Sequence, residues 1–421
     1  MLPIENPLAG QFDHLGFIEI YDWLYCLSEF EPGFTPVEAC MNAHLKKGLT
    51  RVAFSVGRST VYYHSKNPLI TQSGELTDFS KPDAELNENY IRSYNILQQE
   101  CCFESALSFA RKNDMTVYAH LSMARNYSGY GNIFTSKLSL DENNLEVGKN
   151  GEKDFSRMCY ALRAVRDERK AIIKEVLEMG ADGICLDFVR QPPMAQYHPV
   201  MVQEFLNKTG IDPLKINLKN NPEQFKAWIE FRAGYLTGFM EEVHTLVREL
   251  ELRTGRRLEI IARLPDDGFT ANMVAGIHIA DWCERGLVDT IAVQPLQWIH
   301  GIWQHDAAPY VDLGRLTGVK VFGGVNMYPV ERGFGQNPVA IAQRILDQYE
   351  KGVAGISIYE TNDSVLRPEL DRLLSVIDNI DDLRALLADR EWVEQYPIDG
   401  LNVNCGMDNH SGFSRTPLMD L

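Results

Sequence analysis

The chain has 421 residues, of which 45% are hydrophobic and 24% are charged, a composition typical of a folded globular protein rather than a disordered one. Its 41 Lys and Arg residues against 58 Asp and Glu residues give a formal net charge of −17. This charge argues against a nucleic-acid partner, because a nucleic-acid-binding surface needs a basic footprint. No apolar run approaches the roughly 20 residues of a membrane span, so we expect no membrane partner.

The predicted elements alternate along nearly the whole chain, with short β-branched runs followed by amphipathic segments. The clearest helices are predicted at 155–180 and 338–352, and each closes on a glycine. The eight predicted strands, in chain order, cover 16–23, 51–57, 116–123, 182–189, 258–264, 290–296, 320–328 and 354–360.

Eight strand–helix alternations predict a parallel sheet, and eight strands close an α/β (β/α)8 TIM barrel. An open doubly wound sheet is the alternative, although such sheets usually have fewer strands. We expect one domain over 1–395 and a C-terminal tail over 396–421. The connections at 58–90, 124–154 and 190–225 are long, and all three follow strand C-termini, the face at which barrel enzymes carry their sites.

The compartment is predicted from the N-terminus and the cysteines. The first basic residues are Lys46 and Arg51, so the sequence shows no secretion signal. The eight cysteines form no CxxC pair and match neither a zinc site nor a disulfide framework. We expect most of the cysteines to be buried free thiols, which favours a reducing compartment. We therefore expect a cytoplasmic protein, or a periplasmic or secreted one if a signal peptide was removed.

Residue alternation within the predicted strands indicates which side chains point into the barrel. In strand four, Ile184, Leu186 and Phe188 suit the helix-facing side, which turns Asp187 inward at the C-terminal end. In strand one, the same reasoning turns Tyr21 and Trp23 inward. The polar residues predicted to form an inward ring are Glu19, His120, Asp187, Arg263, Gln294 and Asn326. Ionisable groups avoid interiors unless they are paired or hydrated, so this ring indicates either an active-site floor or a buried structural network.

Two strings resemble a known family. GADGICLDFVRQPP (180–193) resembles the strand-four signature of the bacterial glycosyl-hydrolase-like proteins called family-ten-like, and DWCERGLVDTIAVQPLQW (281–298) is similar to their segment entering strand six. The resemblance implies a (β/α)8 fold and hydrolysis of glycosidic bonds in oligo- or polysaccharides. It also implies that Asp187 is a catalytic carboxylate and that Arg190 and Gln294 are site residues.

Glycoside cleavage needs one protonated and one ionised carboxyl group. We expect Asp187 to be the ionised partner, acting as nucleophile or base, because an inward Arg263 would lower its pKa. The acid is open between Glu360, Asp267 and Glu19, with Asp306 a further option. Glu360 has helix-facing parity, so it reaches the site only if the strand breaks at Tyr359.

The expected partner is a carbohydrate, with no cofactor and no metal, and a homo-oligomer stays open. Aromatic rings near strand ends, such as Trp298 and Trp303, suit the apolar faces of sugars, although core packing is an equal alternative for most of them. Two rival interpretations are a non-catalytic sugar-binding barrel and a barrel lyase or isomerase acting on a small acid. The residues predicted to bind substrate are Glu19, Arg58, His120, Arg190, Arg263, Gln294, Trp298, Trp303, Asn326 and Tyr359.

Overall fold

Eight parallel strands close into a barrel in the computed structural model, as the sequence predicts. The structure describes residues 12–80, 87–123, 132–189, 193–266, 268–294, 306–327 and 337–396. The barrel strands are β1 (Asp13–Ile18), β2 (Arg51–Gly57), β3 (Thr116–Ser122), β6 (Gly183–Asp187), β7 (Glu259–Pro265), β8 (Thr290–Gln294), β9 (Lys320–Asn326) and β10 (Gly355–Tyr359). The order around the barrel is β1-β10-β9-β8-β7-β6-β3-β2. Between β3 and β6, the strands β4 (Leu145–Val147) and β5 (Lys153–Met158) form a separate antiparallel hairpin.

Helices follow the strands and cover the outside of the barrel. Of the described helices, none is both long enough and apolar enough to cross a membrane. In chain order they are α1 (Ile20–Cys26), α2 (Pro36–Lys46), α3 (Glu88–Gln99), α4 (Cys102–Lys112), α5 (Arg163–Met179), α6 (Pro199–Thr209), α7 (Pro222–Thr254), α8 (Phe269–Val274), α9 (Ile279–Glu284), α10 (Ala308–Thr317), α11 (Pro338–Lys351), α12 (Thr361–Ser364), α13 (Asp371–Leu374), α14 (Ile380–Ala388) and α15 (Arg390–Gln395).

Two apolar layers follow from the alternation of strand residues. The large core lies between the strands and the helices, where Ile184, Leu186 and Phe188 are fully buried. A smaller cluster fills the barrel interior, and its buried members are Leu15, Phe17, Ala53, Tyr118, Cys185, Ile261, Ala292 and Phe322. The interior is therefore packed up to the level of the inward polar residues. On β3, β6, β7 and β8, these polar residues are the next inward-facing positions toward the C-terminal end.

Three predicted boundaries are wrong, and the first two affect the site. The first strand ends at Ile18 rather than at residue 23, so Tyr21 and Trp23 lie on α1 and pack in its core instead of facing the barrel interior. The last strand ends at Tyr359 rather than at residue 360. Residues 155–158, predicted as helix, belong to β5, because this segment pairs with β4. The helix that follows, α5, does end at the predicted Gly180.

A second small core lies beside the hairpin. It joins the segment 195–197 to α6 and α7, and Trp228 on α7 is its largest buried side chain. The backbone N–H of Tyr197 donates to the carbonyl of Val147 on β4, at 2.8 Å. The loops after β3 and after β6 are thus packed against each other on the C-terminal side of the barrel.

Candidate active site

A small pocket lies at the C-terminal ends of the strands. Loops at this end of a (β/α)8 barrel carry the functional residues in enzymes of this fold. The pocket combines apolar walls with three carboxylates, and its lining residues are Phe17, Ile18, Glu19, Arg58, His120, Ser122, Asp187, Tyr359 and Glu360.

Asp187 ends β6 and is held by three hydrogen bonds. Its Oδ2 accepts from Nη1 of Arg263 at 2.6 Å and from Nε2 of His120 at 3.0 Å, and its Oδ1 accepts from the backbone N–H of Val189 at 2.8 Å. Burial raises the pKa of this carboxyl, but the charge of Arg263 and the hydrogen bonds from His120 and Val189 outweigh burial, so the pKa lies well below its ordinary value. Asp187 is therefore an ionised carboxylate, although only 1% of its surface is exposed.

The pairing across three neighbouring strands explains this arrangement. Parallel register places His120 of β3 opposite Cys185 of β6, and Asp187 of β6 opposite Arg263 of β7. Because a carboxylate only accepts hydrogen bonds, His120 donates from Nε2, and its other ring nitrogen is Nδ1. Within the described part of the chain that Nδ1 is buried without a hydrogen-bond partner.

Arg263 is completely buried and lies between two aromatic rings. Its guanidinium carbon lies 4.6 Å from the ring centre of Phe17 and 4.4 Å from that of Tyr359. The two rings flank the cation while Nη1 remains directed at Asp187, so aromatic contacts replace part of the hydration that a buried guanidinium loses.

Glu19 follows β1 directly and caps the first turn of α1. Its Oε2 accepts from Ser55 Oγ at 3.2 Å and from Nε of Arg58 at 3.1 Å. Arg58 also reaches Asp22 at 3.4 Å, and its carbonyl accepts from Arg169 on α5 at 2.8 Å. The early end of β1 thus keeps Glu19 at the pocket rather than deep in the barrel interior.

Glu360 reaches the pocket because the backbone breaks after Tyr359. It has φ 47° and ψ 61°, a left-handed conformation that costs a non-glycine residue about 1–2 kcal/mol. In a regular strand, the side chain of Glu360 would face the surrounding helices. The break turns it toward the pocket instead, which is the condition that the sequence analysis set for Glu360 to reach the site. Two residues later, the side-chain oxygen of Asn362 accepts from the N–H of Glu19 at 3.2 Å, which ties the end of β10 to the end of β1.

Other predicted site residues lie elsewhere or outside the described residues. Gln294 faces the interior as predicted, but its amide contacts Ser357 Oγ at 3.3 Å and the carbonyl of Val325 at 3.1 Å, and it does not line the pocket. Asn326 is also buried and absent from the pocket wall. The predicted residues that fall outside the described ranges are Arg190, Asp267, Trp298 and Trp303.

The structure adds three residues that the sequence reasoning did not assign to the site. Ser122 lines the pocket two residues after His120, so strand alternation could have identified it. Phe17 and Ser55 contribute a ring and a hydroxyl from β1 and β2. Among the described residues, no group of three or more His, Cys, Asp or Glu side chains is arranged to hold a metal ion.

Comparisons with known proteins found solved structures with a similar fold but no matching family or curated sequence. No protein-family model and no curated protein matches the chain, so the family-ten-like resemblance is not confirmed. The glycoside hydrolase domain of PgaB (BpsB) from Bordetella bronchiseptica is similar with a TM-score of 0.57 and 11% identity, over 88% of this chain and 99% of that domain. The β-amylase catalytic domain from Paenibacillus polymyxa gives a TM-score of 0.51 and 11% identity, over 93% of this chain and 100% of that one.

A third solved structure, alpha-L-fucosidase isoenzyme 2 from Paenibacillus thiaminolyticus, gives a TM-score of 0.53 and 14% identity, over 91% of this chain. The chain spans half the length of that fucosidase. All three neighbours are glycoside hydrolases, and at these identities the likeness concerns the fold alone. This protein therefore has a (β/α)8 barrel of the kind that these glycoside hydrolases use.

Proposed function

We propose that the protein is a glycoside hydrolase that cleaves O-glycosidic bonds of an oligo- or polysaccharide at this pocket. The observation that carries the proposal is that Glu19, Asp187 and Glu360 line one small pocket at the barrel mouth, while Arg263 and His120 keep Asp187 ionised. The family-ten-like resemblance of the string at 180–193 supports the same function.

In the proposed mechanism, Glu360 is the general acid and Asp187 is the ionised partner. Glu360 donates its proton to the leaving oxygen as the bond from that oxygen to the anomeric carbon breaks. Asp187 either attacks the anomeric carbon or takes a proton from an attacking water. Asp187 suits the ionised role because its pKa is lowered, and the strained backbone of Glu360 is the kind of conformation that persists at functional sites.

The charges around the pocket favour a neutral or basic sugar. Both described arginines at the site already contact acids, since Arg263 bonds to Asp187 and Arg58 bonds to Glu19 and Asp22. A sugar carboxylate or sulfate would therefore have to compete with protein carboxylates for these cations. We infer that substrates without an anionic group are preferred.

The proposal is tested by screening aryl glycosides and defined oligosaccharides and by reading product stereochemistry by NMR. On any substrate that is cleaved, Asp187→Asn should lower kcat by about 10³- to 10⁴-fold while ligand binding survives. Asp182→Asn is the matched control, because Asp182 directly precedes the same strand at its opposite end, where it accepts from the N–H of Val117 at 2.8 Å. Unchanged turnover in Asp187→Asn would contradict the mechanism.

A non-catalytic sugar-binding barrel is the second candidate, and the enclosure of Asp187 favours it. Both carboxylate oxygens accept hydrogen bonds and almost no surface is exposed, which limits the access of a sugar to this group. The screen separates the two candidates. A binding barrel would bind oligosaccharides, as measured by calorimetry, without releasing any product. If product is released, Glu19→Gln tests whether Glu19, which is more exposed than Asp187, carries the chemistry in its place.

A further inference from the structure

A buried ion pair on α5 lies behind the loop that follows β2. Glu168 and Arg169 are neighbours in sequence, and Nε of Arg169 donates to Oε2 of Glu168 at 2.6 Å. Their side chains are only 2% and 3% exposed, and the proposed mechanism uses neither of them. Replacing a buried ion pair with packed apolar side chains is often neutral or stabilising, so stability alone does not account for this pair.

Arg169 also holds the backbone of a pocket residue. Its Nη1 donates to the carbonyl of Arg58 at 2.8 Å. On the other side, the N–H of Arg58 donates to the carbonyl of Thr60 at 3.0 Å. This tight turn depends on Gly57, because a Cβ there would lie 2.5 Å from the carbonyl oxygen of Thr60. Both backbone polar groups of Arg58 are therefore held, which fixes the direction in which its side chain leaves the backbone.

The side chain of Arg58 carries this constraint to the pocket. Its Nε and its Nη2 each lie 3.1 Å from Oε2 of Glu19, and Nη2 also lies 3.4 Å from Oδ1 of Asp22. The guanidinium carbon lies 5.9 Å from the ring centre of Phe134. Because the nitrogens of a guanidinium form a rigid fork, two of them facing one oxygen define where the carboxylate of Glu19 lies in the pocket wall.

The loop after β2 is also tied to α5 at a second point. The hydroxyl of Tyr63 donates to Oε2 of Glu175, further along the helix, at 3.1 Å. This bond is made by a side chain and does not act on the backbone of Arg58. If α5 served only to anchor the loop, the two ties would be interchangeable. Of the two, however, it is the contact from Arg169 that reaches a residue of the pocket wall.

We propose that Arg169 is a positioning residue, which acts through the backbone of Arg58 to hold Glu19 in place for binding the sugar. This inference rests on the proposed function, because it requires the pocket to bind a carbohydrate. Glu168 compensates the buried charge of Arg169 while Nη1 remains directed at the carbonyl of Arg58. The helix that precedes β6 thus determines the position of a carboxylate that follows β1.

The first test needs no substrate. In the double variant Glu168→Leu/Arg169→Met, apolar side chains replace the ion pair, so the fold should survive while the hydrogen bond to Arg58 is lost. With ¹⁵N-arginine labelling, the Nε–H of Arg58 is assigned as the signal that disappears in Arg58→Lys. Exchange of this Nε–H with solvent should become about 10-fold faster in the double variant, the change expected when one ordering hydrogen bond is lost.

Tyr63→Phe is the matched control, because it removes the other hydrogen bond between the same loop and the same helix. It should leave the exchange of the Arg58 Nε–H unchanged. Arg169→Lys keeps a charged donor beside Glu168 and should retain slow exchange. Unchanged exchange in the double variant, or an equal increase in Tyr63→Phe, overturns the proposal.

The second test connects this positioning to the sugar. The double variant should raise KM for a cleaved aryl glycoside, or Kd for a bound oligosaccharide, by about 3- to 10-fold with little change in kcat. Tyr63→Phe should change neither constant. Faster exchange with unaltered sugar affinity overturns the proposal even where the glycosidase function stands. A protein that binds no sugar overturns the proposed function and the role of Glu19 in sugar binding, whereas the exchange rates still decide whether Arg169 positions Arg58.

Discussion

Arg263 donates a 2.6 Å hydrogen bond to Asp187 from the neighbouring strand, and its guanidinium lies between the rings of Phe17 and Tyr359. This relationship connects residues from four strands, because the two rings come from β1 and β10 while the ion pair joins β6 to β7. It also determines the charge of Asp187, since Arg263 is the strongest of the interactions that lower its pKa. The position of one arginine thus controls both the packing and the electrostatics below the pocket.

Removing this cation should move the acid limb of the pH–activity profile. In Arg263→Met the pKa of Asp187 rises, so the ionised form is lost at a higher pH and the acid limb of kcat/KM shifts upward by roughly one to three pH units. The measurement is kcat/KM against pH on a cleaved aryl glycoside. Arg263→Lys keeps the charge and should shift the limb less.

Arg344→Met serves as the control for this experiment, because Arg344 pairs with Asp266 at 3.3 Å outside the pocket. An acid limb that moves equally in Arg344→Met and Arg263→Met would show that the shift reflects general destabilisation rather than the pKa of Asp187.

Glu360→Gln should produce a loss that depends on the leaving group. Without the acid, substrates with a poor leaving group lose about 10²- to 10⁴-fold in kcat/KM, whereas dinitrophenyl glycosides, which need no protonation, lose little. The measurement is kcat/KM across a series of aryl leaving groups of known pKa. The control is Glu350→Gln, an exposed residue paired with Arg384 at 3.0 Å. An equal loss across the series would contradict the acid role.

Substrate charge should affect turnover through the carboxylates of the pocket. For glycosides that differ only at C6, we expect kcat/KM for the uronide to be at least about 10-fold lower than for the neutral sugar, a difference of about 1.4 kcal/mol. Added salt should narrow the difference, because it screens repulsion from the partly exposed charges. Preference for the uronide would show that a cation is available to the substrate, contrary to the contacts of Arg58 and Arg263.

His44 should make the fold sensitive to mild acid. It is fully buried on α2, with Nε2 at 2.8 Å from the hydroxyl of Thr361, the residue after Glu360. Burial lowers its pKa to about 4, although the carbonyl of Cys40 opposes this effect. The unfolded chain therefore binds the proton first, and stability that is complete above about pH 6.5 is lost progressively down to about pH 4, by about 3 kcal/mol.

This loss is measured by urea denaturation at a series of pH values. His44→Gln, which has no titrating group, should flatten the free energy of unfolding between those two pH values. The same slope in both proteins would assign the acid sensitivity to other groups.

Strand alternation was enough to predict much of the inward ring. Asp187, His120 and Arg263 face the interior as predicted, because residue parity within a regular strand follows directly from backbone geometry. The number of strands predicted the closed barrel for a similar reason, since each alternation of strand and helix adds one parallel strand. These features depend on local, periodic signals.

The ends of the strands were less predictable. Residue alternation predicts that β1 continues through Glu19 to residue 23. In the structure, Ile20 begins a helix, and Glu19 caps its first turn. Residues 155–158 look helical in sequence but pair with β4. In the first case a local helix cap, and in the second a pairing strand, supplies hydrogen bonds that the periodic pattern does not encode.

The sequence by itself determined the barrel, the inward orientation of Asp187 and the excess of negative charge, because alternation, repetition and composition are properties of the chain. Only the tertiary structure decided that Glu360 joins Glu19 and Asp187 at one pocket, since this depends on a left-handed residue after Tyr359 that the sequence pattern allowed but did not require. Backbone breaks of this kind are stabilised by contacts that arise only when distant strands come together.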